Sequence, residues 1–243
     1  MGLHNEIPIR IHHAGHTVGR ELTEEQIADL RALGPVVEVG PTWFFADYVF
    51  DAESNPHIEF DELSPMFDRM FYFRGDGQMS VSFRLPASLA ERVKPYVTEG
   101  KDEKRYGSAV ASRVEGETVV VTIRRFGEDS EMTYWLERPE KWPAMLEPLH
   151  ADLIGGDMSA LYVAWRMVHE EKWKWSRGPK PAPPPVPARL EGYDPDVPRT
   201  WPRPLSDLDK MLRLWDWTTE DLGADWPRKS EPETTTRRRR PKR

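Results

Sequence analysis

His12, His13 and His16, with His4 nearby, form the densest group of side chains able to do chemistry. On a helix, His12 and His16 share one face and offer two imidazoles to a zinc ion. The surrounding pattern favours strand and loop instead. Ile7, Ile9 and Ile11 alternate with other residues, Gly15 interrupts the group, and no glutamate stands in HExxH spacing. We expect solvated histidines near the N-terminus, with His12 and His16 as weak metal candidates and no resident metal or cofactor.

A second group is acidic: Asp47, Asp51, Glu53, Glu59, Asp61 and Glu62. Carboxylates suit a hard cation, but the regular spacing of a calcium loop is missing. The group reads as a solvated edge beside the aromatic run WFF, where charge guards a strand against aggregation. GGDMS at residues 155–159 places two glycines before a helix, where backbone amides can meet an anion. No lysine follows, and the Asp157 carboxylate repels phosphate, so the segment reads as a turn between helices. Arg74–Gly77 spells RGDG and reads as a hairpin turn, since Asp-Gly is a favoured turn pair. No nucleophile motif of the Gly-x-Ser-x-Gly type occurs, and no catalytic residue is assigned.

Trp165, Trp173 and Trp175 can stack on bases or on a partner, the last two alternating with lysines in EEKWKW. They read more simply as core or linker-docking aromatics, because polyproline segments lie on aromatic surfaces. The last seven residues, RRRRPKR, carry six positive charges from Arg237, Arg238, Arg239, Arg240, Lys242 and Arg243. Such a run can contact nucleic acid or another polyanion.

Several elements must position these groups. Thr23 and Gln26 make a capping box for a helix over residues 23–33, with Leu22 and Ile27 as a staple. Ile27, Leu30 and Leu33 face the core, and Gly34-Pro35 ends the helix. Strands are expected at residues 35–40 and 42–50, with a short helix near 59–69 that Pro65 interrupts. Residues 70–73 and 79–85 read as a hairpin; Met79, Val81, Phe83 and Leu85 face one way, and Ser80, Ser82 and Arg84 the other. A short helix follows in 86–97. Strands at 106–114 and 118–125, with a third through Met132, Tyr134 and Leu136, make a meander. Helices at 143–153 and 157–173 are separated by Gly155-Gly156, with Asp157 as cap.

Beyond them lie ten prolines between Gly178 and Pro204, a semi-rigid extended spacer. Residues 205–217 then form an amphipathic helix with Leu205, Leu208, Met211, Leu212 and Trp215 on one side. A helix that short is unstable alone and must dock on something. From Lys229 the chain is polar and basic, with the composition of a disordered tail.

The chain has 243 residues and no cysteine, which removes disulfides and thiolate chemistry. Net charge is −7; without the six basic residues of the tail, 28 basic stand against 41 acidic residues, a body at −13. An acidic body repels nucleic acid, leaving the tail as the only route to it. No window is long and apolar enough for a membrane span, and no signal segment is apparent. We expect a cytoplasmic protein with no membrane contact.

ELTEEQIADLRAL (residues 21–33), GPTWFFADYVF (40–50), FDELSPMFDRMFYF (60–73), SVSFRLPASL (80–89) and LIGGDMSALYVAWRMV (153–168) together resemble a family of uncharacterised bacterial proteins. The resemblance covers about residues 20 to 170 and implies where the folded body lies. It carries no active-site residue to this chain, and Met158 and Ser159 depart from its usual Asp-Leu-Arg-Ala-Leu-Tyr run.

The order β-α-β-β-α-β leads us to expect an α+β, ferredoxin-like sandwich, extended by a β-meander and a C-terminal helical hairpin. Residues 1–177 form the body, 178–204 the proline-rich linker, 205–228 a helix docking on the body or a partner, and 229–243 the basic tail. The expected function is a non-catalytic protein–protein interaction module acting through Trp173, Trp175, Leu208, Met211 and Trp215. One alternative is nucleic-acid association through the tail. Another is an enzyme gathering Asp47, His57 or Asp68 in an unrecognised cleft.

Overall fold

The computed structural model describes residues 9–34, 37–50, 59–74, 78–98, 109–126, 142–175, 182–193 and 202–212. It is a mixed α+β protein. β1 (Ile9–His16), β2 (Val37–Val39), β3 (Trp43–Phe50), β4 (Arg69–Arg74), β5 (Gln78–Pro86), β6 (Ala109–Glu115) and β7 (Thr118–Phe126) form one sheet. Its order is β2-β3-β1-β4-β5-β7-β6, and every neighbouring pair is antiparallel.

Because side chains alternate across a strand, β4 divides the protein into two cores. Met70 and Tyr72 pack with Ile11, Phe44, Ala46, Tyr48 and Phe67 on one face. That face is covered by α1 (Glu24–Ala32), through Leu30, and by α2 (Phe60–Leu63), through Phe60 and Leu63. Phe71 and Phe73 point the other way and join Met79, Val81, Phe83, Leu85, Val121 and Ile123. Over them lie α4 (Trp142–Ile154), α5 (Ser159–Trp175) and α6 (Arg203–Leu212), contributing Leu146, Leu149, Leu161, Val168, Leu205, Leu208 and Leu212.

α1 starts where its capping chemistry dictates. The Thr23 hydroxyl accepts from the Gln26 N–H at 3.1 Å, and the Gln26 side-chain oxygen accepts from the Thr23 N–H at 2.9 Å. Leu22 and Leu30 are buried, and Ile27 and Leu33 pack beside them.

Several expectations are corrected. The helix near residue 60 is a single turn: Pro65 follows Ser64 into a 3-10 turn, Ser64–Met66, and β4 begins at Arg69. The second short helix is likewise split, into Ala87–Leu89 (3-10), α3 (Ala90–Val93) and Lys94–Tyr96 (3-10), with Pro95 in the last. The late strands do not follow chain order, because β5 pairs with β7 and β6 lies outside it. β6 and β7 are joined by a tight turn, where Gly116 has a φ of +58°. The strand expected through Met132, Tyr134 and Leu136 lies outside the described residues.

The histidines depart most from expectation. β1 is not a solvated end; it lies between β3 and β4 in the middle of the sheet. His12 is 2% exposed and His13 0%. Ser80 and Ser82, on the opposite face of β5 from Met79 and Val81, are also buried, because this sheet is covered on both sides. Their hydroxyls have no hydrogen-bond partner among the described residues.

Gly15 shows how tightly β1 is held. A Cβ there would stand 2.6 Å from Cγ of Phe67, whose buried ring stacks on Phe44 with centroids 5.6 Å apart. The clash is with the root of the ring, which cannot swing aside. Gly15→Ala is expected to lower stability by about 1–3 kcal/mol, the range for overpacking a core. Urea unfolding checks it; a variant as stable as the parent would show that Phe67 has room to move.

Candidate functional site

β5 leaves the sheet at Pro86, and the three short turns that follow carry Arg92 and Tyr96 to the junction of α4 and α5. That junction needs its second glycine. Gly156 has a φ of +85°, and a Cβ there would run into the Arg92 guanidinium. Arg92 Nη2 donates to the Gly156 carbonyl at 2.6 Å, clamping the turn. Asp157 then accepts from the Ser159 N–H at 2.9 Å, holding the first turn of α5.

Residues 182–190 lie against this junction. Pro187 has φ −61° and ψ 142°, polyproline geometry, before a 3-10 turn at Ala188–Leu190. Pro184 is buried, and Leu190 joins the core under α4 and α5. Between them, the Tyr96 hydroxyl donates to the Pro185 carbonyl at 3.0 Å. Burial pushes the Tyr96 phenol above its usual range; Arg92 pulls it down, and Asp157 and Tyr162 push it further up. The hydroxyl therefore stays a donor at neutral pH.

At the far end, Arg189 pairs with Asp152 and, at 3.4 Å, with Asp157. Burial works against the Arg189 cation, but the hydrogen bonds and charges of Asp152 and Asp157 outweigh it and raise its pKa. A cavity of about 580 Å³ remains beside the segment, lined by Arg92, Tyr96, Gly156, Met158, Pro185 and Val186 among others. That volume lies within the ordinary range for ligand pockets.

A second polar group sits where β1, β4 and α4 meet. Arg69 Nη1 lies 3.2 Å from Glu147. His150 Nε2 lies 2.9 Å from the Arg84 carbonyl, and the ring stacks near Phe83. A carbonyl only accepts, so Nε2 carries the proton. The pKa of His150 is lowered by burial and by Arg69, against the Arg84 carbonyl and Asp68. That of His16 is lowered by burial and then by Arg69, with Glu147 opposing.

Of the residues expected to do chemistry, few come together. His12 and His16 lie on one strand, four residues or about 13 Å apart along it. Among the described residues, no three His, Asp or Glu side chains are arranged to hold a metal. His12 Nδ1 instead stands 3.3 Å from Asp47, its cross-strand neighbour, and Asp47 also binds Arg10 through both oxygens, at 2.9 and 2.6 Å. Asp68 lies at the other end of β4 from that pair, bound to the Val18 N–H at 2.7 Å and 3.4 Å from Arg20. Asp61 pairs with Arg124 at 2.6 Å.

Asp51, Glu53 and His57 lie outside the described residues, as do Trp215 and the tail from Arg237 to Arg243. Trp173 and Trp175 belong to the last turn of α5, and Met211 to α6, but their side chains fall outside the description. Leu208 is 2% exposed. Its apolar face lies within the protein, so it is not an open surface for a partner.

Sequence reasoning passed over Tyr96, Arg92, Asp152 and Arg189. One signal was present: the proline run ends in Pro-Ala-Arg, and an arginine placed so has an obvious acidic counterpart to seek. The location of that counterpart depends on α4 and α5 meeting the turn at residues 94–96. No helix among the described residues is long and apolar enough to cross a membrane. No family model, no curated protein and no solved structure matches the chain.

Proposed function

We propose that the protein is a non-catalytic protein–protein interaction module whose contact surface is the groove between Tyr96 and the α4–α5 turn. One observation carries this reading: the groove already holds an extended segment through its backbone carbonyl and its arginine. A surface with that arrangement is built to hold peptide. In this reading, strands β2-β3-β1-β4, with α1 and α2 on one face, are a ferredoxin-like split βαβ unit. β5–β7, α4 and α5 are its extension, and residues 182–190 are a strap drawn across the result.

Crosslinking tests it. A photoreactive side chain replaces Val186, which is 48% exposed beside the groove. The protein it captures in cells is purified and recombined with the full chain. In the Arg189→Ala chain, whose own segment competes less, the complex is expected to weaken about 2- to 10-fold on Tyr96→Phe, the equivalent of one hydrogen bond. A reconstituted complex indifferent to Tyr96→Phe and to Asp157→Asn would overturn the proposal.

A further inference from the structure

We infer that the groove recognises an extended proline-rich segment of another protein, carrying an arginine two residues past its last proline, and that residues 184–189 occupy it as a built-in competitor. This rests on the interaction-module reading and names the partner's chemistry.

The bound segment is the template. Residues 184–189 read Pro-Pro-Val-Pro-Ala-Arg, the spacing Pro-x-x-Pro-x-Arg. Up to Pro187 the segment is extended, and a polyproline helix leaves its carbonyls facing outward; Arg189 sits in the 3-10 turn Ala188–Leu190, where the Leu190 N–H donates to the Pro187 carbonyl at 2.8 Å. Tyr96 uses the extended part by donating to the carbonyl of Pro185, which any residue at that position supplies. Aromatic side chains meeting polyproline are a general mode of peptide recognition, and Tyr96 supplies one here. Asp152 and Asp157 add the second requirement, because two carboxylates at one end of the groove, both meeting Arg189 Nη1, favour a cation there.

The groove is therefore selective in two ways, for backbone shape and for charge. Its polarity follows too: the arginine lies at the C-terminal end of the ligand, over the α4–α5 turn.

The strap is held lightly enough to be exchanged. Its arginine keeps about a third of its side-chain surface in water (32%), so solvent competes for the guanidinium as the segment leaves. Pro185 and Val186 are exposed, and the 580 Å³ cavity beside them is left unfilled. Leu190, in contrast, is a core residue. Exchange thus involves residues 183–189 and leaves the anchor at Leu190 in place. A tethered segment acts at an effective concentration on the order of millimolar. The strap then sets a threshold: an incoming peptide must outbind a local competitor, which rejects proline-rich sequences lacking the arginine.

The probe is a fluorescein-labelled peptide with an amidated C-terminus and the sequence of residues 182–191, Ala-Pro-Pro-Pro-Val-Pro-Ala-Arg-Leu-Glu, which can form the turn that carries the arginine. Its binding to the full chain is measured by fluorescence polarisation for the parent, for Arg189→Ala and for Pro184→Ala with Arg189→Ala. The strap-weakened chains are expected to bind at least about 10-fold more tightly than the parent, because the internal competitor is lost. A probe with alanine in place of arginine is expected to lose about 10-fold, as is Asp157→Asn in the Arg189→Ala chain. Asparagine still caps α5, so that substitution tests charge rather than folding.

Arg189→Ala removes only a partly exposed guanidinium, and circular dichroism and melting confirm its fold. Should the double variant unfold, the single one decides. A folded Arg189→Ala chain that binds no more tightly than the parent, or that binds both probes equally, overturns the inference. In that event a crosslinked partner still sensitive to Tyr96→Phe would leave the interaction-module reading standing with a different ligand.

Discussion

Leu208→Ala is expected to lower the free energy of unfolding by about 2–5 kcal/mol, the range for a buried leucine truncated in a core that cannot close around the gap. Leu205, Leu208 and Leu212 follow the spacing i, i+3, i+7, one stripe of α6, and all three are buried with α4 and α5. The helix has ten residues, too few to persist in water on its own. Its stability is therefore borrowed from the surface it covers. Weakening that contact releases α6 and exposes the residues of α4 and α5 beneath it, so the cost belongs at the upper part of the range. Val186→Ala, at an exposed position of the strap, is the control and should change stability by less than about 0.5 kcal/mol. Urea unfolding of both variants checks this. A loss under about 1 kcal/mol for Leu208→Ala would mean that α6 only rests on the body.

Acidification is expected to destabilise the protein between about pH 6.5 and pH 5, ahead of the range where carboxylates titrate. His150 and His16 both have lowered pKa values in the folded state, through burial first. As pH falls, the unfolded chain takes up these protons before the folded one does. The stability involved is complete above the unfolded value of about 6.5 and is lost as pH falls toward the folded value. His150, 3% exposed, can contribute a slope of up to about 1.4 kcal/mol per pH unit. His16 contributes less, because it is only half-buried. The physical event is a charge placed under α4 against Phe83, beside Arg69. Urea unfolding at pH 7.5, 6.0 and 5.0 should show the slope, and His16→Gln with His150→Gln should flatten it. An unchanged slope in the double variant would assign the acid response to other groups.

Local chemistry was readable where neighbours in sequence are neighbours in space. The Thr23–Gln26 capping box, the stop at Gly34, the β4–β5 hairpin and the turn at Gly155-Gly156 each depend on residues within a few positions of one another. The alternation Met79, Val81, Phe83, Leu85 correctly gave one face of β5. The same alternation said nothing of the other face. Ser80 and Ser82 look solvent-facing until α1 and α2 are known to cover that side. The prolines at 65 and 95 were visible breakers, but how short the resulting turns would be was set by the strands they feed.

The site was less legible than the fold. Asp47 and His12 are 35 positions apart and meet only because β1 pairs with β3 in that register. Arg92 and Gly156 are 64 apart, and Tyr96 and Pro185 are 89 apart. No periodicity encodes such meetings. The acidic stretch read as one solvated edge is divided, with Asp47 serving His12 and Arg10 on one strand and Asp61 serving Arg124 on another.

By itself, the chain determined the start and stop of α1, its hairpins, the lack of thiol chemistry and the extended form at Pro187, because these follow from backbone sterics and contacts a few residues long. Only the tertiary structure decided that β1 is central, that its histidines are buried, and that residues 184–189 lie in a groove between Tyr96 and Asp157. The physical reason is that burial and pairing across the sheet are properties of which surfaces meet, and a one-dimensional pattern of apolar and polar residues leaves that partner choice open.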